Sequence, residues 1–156
     1  MDGITLQNSP SFHFVPNQCV NVEARNLKIY APFTSPNSDG IDSFDCQGVT
    51  ITNCIIDDGV DDIATKGGRV NGVISIGCQD ITVSNCTFLH GHGLSIGNET
   101  DDGVKDLTVT NCIFNGTTNG VRLKSLTGAG GIMQDLRYIG VTMKNVLNPF
   151  YYRLKL

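Results

Sequence analysis

The stretches "GVTITNCII" (residues 48–56), "DITVSNCTF" (80–88) and "DLTVTNCIF" (106–114) repeat one pattern three times. Each runs apolar, Thr, apolar, Ser or Thr, Asn, Cys, any residue, apolar. A further copy, "DLRYIGVTM" (135–143), keeps the alternation but loses Asn-Cys, and "CVNVEARNLKIYAP" (19–32) is an earlier, less regular one. Alternation of this kind has the period of a strand, not of a helix. Cys54 and Cys86 are 32 residues apart, and Cys86 and Cys112 are 26 apart. A repeat of that length marks the coils of a solenoid.

A second strand follows within each repeat: "GIDSFD" (40–45), "DIATKG" (62–67), "GLSIGN" (93–98), "GVRLKS" (120–125) and "FYYRLK" (150–155). Two or three short strands per turn, each stacked on its equivalent, predict an all-β parallel β-helix of about five coils. Its interior is a pile of Val, Ile, Leu and Phe. Cys54, Cys86 and Cys112 form one inward column of small buried side chains. Zinc would call for closely spaced pairs such as Cys-x-x-Cys, and the sequence has none. Asn53, Asn85 and Asn111 read as a stacked amide ladder at a turn.

The totals agree with one globular domain over residues 1–156: 40% apolar, 17% charged, and 18 glycines for many turns. A net charge of −4 argues against a broad nucleic-acid-binding face. It does not argue against an anionic sugar, which a few cations in a cleft can hold. No stretch approaches the roughly 18 apolar residues of a membrane span. The opening "MDGITLQNSPSFHF" has no basic region followed by an apolar core, so no secretion signal is read there.

Anchoring each second strand on its first apolar residue aligns Ile41, Ile63, Leu94 and Val121. Two places earlier stand Asp39, Asp61, His92 and Asn119; one place earlier, Gly40, Asp62, Gly93 and Gly120. One place after the anchor stand Asp42, Ala64, Ser95 and Arg122, and three after it Phe44, Lys66, Gly97 and Lys124. Alternation sends these last two sets outward, on rungs about 4.8 Å apart. One outer face therefore carries carboxylates, an imidazole, a guanidinium and an ammonium on successive rungs. The earliest column falls in a turn, where alternation does not dictate direction.

Four motifs in order, "SPNSDGID" (35–42), "GVDDIATK" (59–66), "GHGLSIG" (91–97) and "VRLK" (121–124), resemble the signatures of the polygalacturonases, family 28 glycoside hydrolases. The resemblance covers essentially the whole chain. It implies a right-handed parallel β-helix that hydrolyses α-1,4-galacturonan, the backbone of pectin, with inversion. It also implies a monomer when full length, an extracellular or periplasmic location, no cofactor or metal, and no nucleic-acid or membrane partner. Members of the family are longer, which makes this chain a fragment of a larger catalytic domain, with a coil open at each end.

Carried over by motif, Asp39 and Asp61 would hold and activate the attacking water, and His92 would support the acid and the water's surroundings. Arg122 and Lys124 would grip a substrate carboxylate. Asp42, outward beside Asp39, is a secondary substrate-binding candidate. Val60 departs from the pattern: it stands where the family has the proton-donating aspartate. Asp62 either reaches the glycosidic oxygen through a bulge or is a turn residue tolerating a conformation that glycine holds on other rungs. Two rivals remain. A calcium-dependent pectate lyase would use Asp57, Asp58, Asp61 and Asp62 as oxygen ligands. A non-catalytic pectin-binding β-helix would need no acid.

Overall fold

The computed structural model describes residues 1–68 and 76–154. After β1 (Thr5–Gln7), strands come in threes. The first set is β2 (Val20–Arg25), β3 (Lys28–Tyr30) and β4 (Ile41–Phe44); the second is β5 (Gln47–Thr52), β6 (Ile55–Asp57) and β7 (Ile63–Lys66). β8 (Cys78–Ser84), β9 (Thr87–Phe88) and β10 (Leu94–Ile96) follow, then β11 (Val104–Thr110), β12 (Ile113–Asn115) and β13 (Asn119–Ser125). β14 (Met133–Ile139), β15 (Thr142–Lys144) and β16 (Asn148–Leu154) close a fifth set. Lys155, which the sequence placed in the last strand, lies outside the described residues.

Every strand pairs in parallel with its equivalent one coil away, giving three sheets. One runs β2-β5-β8-β11-β14, one β1-β3-β6-β9-β12-β15, and one β4-β7-β10-β13-β16. The architecture is thus a parallel β-solenoid of five coils, all strand and turn among the described residues. Each repeated nonapeptide supplies two of the three strands, with a corner at its Asn-Cys.

Identical side chains meet because the coils stack in register. Val49, Ile81 and Leu107 form one column, and Ile51, Val83 and Val109 a second. Ile56, Phe88 and Phe114 form a third, and all of these are buried. The Phe88 and Phe114 rings sit 4.7 Å apart, tilted by 43°. A fully buried side chain of this size contributes about 1.5–3 kcal/mol over its exposed state. The solenoid is held mainly by these columns.

Corners are set by residues that accept a left-handed backbone. Asn26, Asn53, Asn85, Asn111 and Asn145 all lie between φ 53° and 56°. Asparagine visits this region more readily than other side-chain-bearing residues, so the asparagine column is a conformational requirement. The amides are exposed, and Asn53 Nδ2 reaches Asn26 Oδ1 at 3.5 Å. A second left-handed column, Asn21, Gly48, Asp80, Asp106 and Asp135, bends the long strands at the residue that the register skips.

The cysteines sort into two columns. Cys54, Cys86 and Cys112 are buried thiols, with Cys54 N–H directed at Cys86 Sγ at 3.5 Å. Cys46 and Cys78 stack likewise, with Cys46 N–H 3.2 Å from Cys78 Sγ. The "CQ" that opens both of those coils is the sequence signal for this second column, and it lies outside the repeated nonapeptide.

Candidate active site

The sheet containing β4, β7, β10 and β13 carries the polar wall. Its ladder pairs Ile41 with Ile63, Ile63 with Leu94, and Leu94 with Val121. Asp42, Ala64, Ser95 and Arg122 accordingly share one row, and Phe44 pairs with Lys66. Just before these strands the chain brings Asp39, Asp61 and His92 to a cleft of about 310 Å³. Arg122, Lys124, Lys66 and Val60 line the same cleft.

Asp61 is the hub, only 2% exposed. Its Oδ1 accepts from Arg122 Nη1 at 2.7 Å and from Ser95 Oγ at 2.8 Å, while Oδ2 accepts from Lys124 Nζ at 2.6 Å. Burial opposes its charge, but hydrogen bonding and the cations Lys124 and Arg122 outweigh it and hold the carboxyl well below the usual range. His92 Nδ1 lies 3.0 Å from Arg122 Nη1. The same Nδ1 stands 3.4 Å from Asp61 Oδ1, so the imidazole sits against both the guanidinium and the carboxylate it holds. Arg122 lies over the Tyr151 ring, 5.7 Å from its centroid, and its Nε is buried without a partner among the described residues.

Asp39 behaves oppositely. Burial, reinforced by the charges of Asp42 and Asp61, pushes its carboxyl up to about 7 against the pull of Lys66 and Lys124. Lys66 binds Asp42 at 2.5 Å and stands 3.9 Å from Asp39. Its ammonium also sits 4.9 Å and 4.8 Å from the centres of the Phe12 and Phe44 rings. His13 steadies the segment before β4, its Nδ1 3.1 Å from the Ser38 carbonyl and 3.2 Å from that of Asp39.

The model of glycosyl hydrolases family 28 matches residues 1–152. The chain belongs to that family. It is 38% identical over 146 residues to an endo-polygalacturonase of Pectobacterium carotovorum subsp. carotovorum, covering 94% of this chain and 35% of that protein. A probable polygalacturonase of Arabidopsis thaliana is also 38% identical, over 153 residues, covering 96% and 32%. Among solved structures, the polygalacturonase from Erwinia carotovora ssp. carotovora superposes with a TM-score of 0.88 at 34% identity, over 99% of this chain and 41% of that one. The hyperthermoactive exopolygalacturonase from Thermotoga maritima gives 0.86 at 30%, over 97% and 35%. The chain therefore spans about a third of the length of these relatives.

Two residues of this family 28 chain lie elsewhere than the sequence suggested. Asp62 is fully buried and absent from the cleft wall; its Oδ2 accepts the Gly93 N–H at 2.8 Å. It bridges rungs from inside, where it cannot reach a glycosidic oxygen. Nor does it borrow a glycine conformation: Asp62 is not left-handed, and neither are Gly40 and Gly120, although Gly93 at the equivalent position on the next rung is, at φ 69°. Glycine is needed there for space, since a Cβ on Gly40 would lie 2.5 Å from the Asp62 carbonyl oxygen. Asp42 is also fully buried, beneath Lys66, so it holds the lysine and does not face the cleft.

The acidic run disperses. Asp57 pairs with His90 at 2.6 Å, Asp58 accepts the Val60 N–H at 2.9 Å, Asp61 enters the cleft, and Asp62 turns inward. A shared calcium loop would need these oxygens to converge. Asp58 and Asp62 meet around Gly91, where a Cβ would lie 2.8 Å and 2.9 Å from their oxygens. That crowding, with φ of 87°, is why the Gly-His-Gly turn begins with glycine. Phe12, Asn37, Asn98 and Glu99 also line the cleft and escaped the column reading. They sit in turns and loops outside the aligned strand positions.

Proposed function

We propose that this cleft hydrolyses α-1,4-galacturonosyl linkages of polygalacturonate. The observation that carries the reading is Arg122: Nη1 is spent on Asp61, while Nε remains buried and unpartnered among the described residues. The guanidinium is anchored on one side, yet the side chain lines the cleft and is 20% exposed, which suits a uronate carboxylate. Lys124 adds positive charge beside it.

Proton roles follow from two carboxyls driven apart by their surroundings. Asp61 stays charged and, with His92 beside it, holds the attacking water against the anomeric carbon. Asp39, which the motif alone would set beside Asp61 on the water, instead keeps a proton at mildly acidic pH and gives it to the departing glycosidic oxygen. Water's oxygen bonds to the anomeric carbon as the glycosidic bond breaks, its proton leaves past Asp61 to solvent, and Asp39 regains a proton from solvent. Attack opposite the leaving group inverts the anomeric centre. Val60 keeps the usual donor's place apolar, so Asp39 serves as a substitute of lower efficiency. A pectin substrate would put this activity outside the cytoplasm.

The deciding measurement is release of reducing ends from polygalacturonate by the protein expressed from its full reading frame, with Asp39→Asn and Arg122→Ala beside it. Turnover lost in both variants supports the proposal. Tight oligogalacturonate binding without turnover would make it a pectin-binding coil, and an ultraviolet-absorbing unsaturated product with chelator sensitivity would make it a lyase.

A further inference from the structure

Glu99 is a cleft carboxylate to which the proposed chemistry assigns no task. It leaves β10 on the rung that His92 enters, so the two stand at opposite ends of one strand. Its backbone is pinned, the carbonyl accepting the Gly67 N–H at 3.0 Å. Its Cβ packs over Gly68, where a side chain would clash at 2.5 Å. Its Oε2 is buried with no hydrogen-bond partner among the described residues. A buried, unpaired carboxylate oxygen is costly unless a ligand supplies a donor.

The neighbouring cations are committed elsewhere. Lys66 holds Asp42 at 2.5 Å and Lys124 holds Asp61 at 2.6 Å. Neither lies within ion-pair distance of Glu99, whose charge acts on Lys66 only from farther away. Among the described residues no cation pairs with Glu99 at the strand-exit side of the cleft, while the Arg122 side carries a guanidinium and the Lys124 ammonium.

Resting on the hydrolase reading, we propose that Glu99 is a specificity-determining residue that makes the strand-exit side a subsite for a pyranose without a free carboxylate. Glu99 accepts that sugar's hydroxyl protons through its carboxylate, which lines the cleft. A free uronate carboxylate there is repelled. An esterified galacturonate and a neutral galactose unit share the required chemistry.

The test is calorimetric binding to the protein from its full reading frame, wild type and Glu99→Gln. The probes are trigalacturonate, its methyl ester and α-1,4-galactotriose. The variant is expected to bind trigalacturonate about three- to tenfold more tightly, because a repulsion across a solvated cleft is removed. It is expected to bind an uncharged trimer several-fold more weakly, because a charge-assisted acceptor becomes a neutral one. Whichever uncharged trimer loses more identifies the sugar. Affinities that move together, or stay put, overturn the proposal and leave the hydrolase reading standing. No binding of any probe by wild type overturns both.

Discussion

Lys124 and Asp61 are 63 residues apart in the chain, yet their charged atoms lie 2.6 Å apart. Two rungs of solenoid separate them, and both are almost completely shielded from solvent. A buried pair costs desolvation of two ions, and losing one partner strands the other. Asp61→Ala should therefore destabilise by about 3–5 kcal/mol and cut turnover on polygalacturonate by at least about 10²-fold. Urea unfolding and an assay of reducing ends check the two effects. Unchanged stability would mean that Arg122 and Lys124 are satisfied by solvent.

Val60 lines the cleft beside Asp61 and offers no proton. Val60→Asp should raise turnover, within the roughly 10²–10⁴-fold range of general-acid assistance. A rate equal to wild type would show that position 60 is not the donor's place.

Stability should fall as pH rises from about 4 to about 7. Burial, with help from neighbouring aspartates, pushes Asp58 up to about 7, against the ordinary value of 3.8 expected once unfolded. Over that window the folded state binds the extra proton, so raising the pH favours unfolding by ~1.4 kcal/mol per pH unit for each such carboxyl. Asp39 adds to the same trend, being raised to about 7 by burial and by Asp42 and Asp61. Asp61 acts in the opposite direction only at low pH, where its lowered carboxyl is finally protonated and its ion pairs are lost. Denaturant midpoints at pH 4.5 and 7.5 should differ in this sense, and Asp58→Asn should flatten the difference.

Turnover should track the proton on Asp39. kcat/KM is expected to decline as pH rises through about 7, the value to which burial and its acidic neighbours push that carboxyl. Asp42→Asn removes one of those neighbours and should shift the alkaline limb to lower pH. A limb that does not move would detach Asp39 from the proton-transfer step.

Gly91→Ala should fold less stably by about 1–3 kcal/mol, the usual range for overpacking. The added methyl would press on the Val60 carbonyl oxygen at 2.7 Å as well as on both aspartates. Because this turn presents His92, activity should fall further than stability alone explains. Thermal melting and assays well below the midpoint separate the two.

The columns were legible because stacking in register needs only a period and an alternation, and the nonapeptides supply both. Ile41, Ile63, Leu94 and Val121 pair as their spacing requires. Side-chain direction in the turns was not legible, since φ and ψ there are set by tertiary contacts. Asp39 and Asp61 turned toward the cleft and Asp62 away from it, although Asp61 and Asp62 are adjacent. Asp42 followed alternation outward and was still sealed, because Lys66 folds across it. Glu99 was invisible for a different reason: it belongs to a loop with no counterpart among the aligned strand positions.

The Lys124–Asp61 bridge also sets an order of events during synthesis. When Asp61 leaves the ribosome neither Arg122 nor Lys124 yet exists, and six further strands, β7 to β12, must be laid down before Lys124 arrives in β13. Until that winding is finished, Asp61 has neither of the two cations that hold its charge, and this wall of the cleft is not yet built.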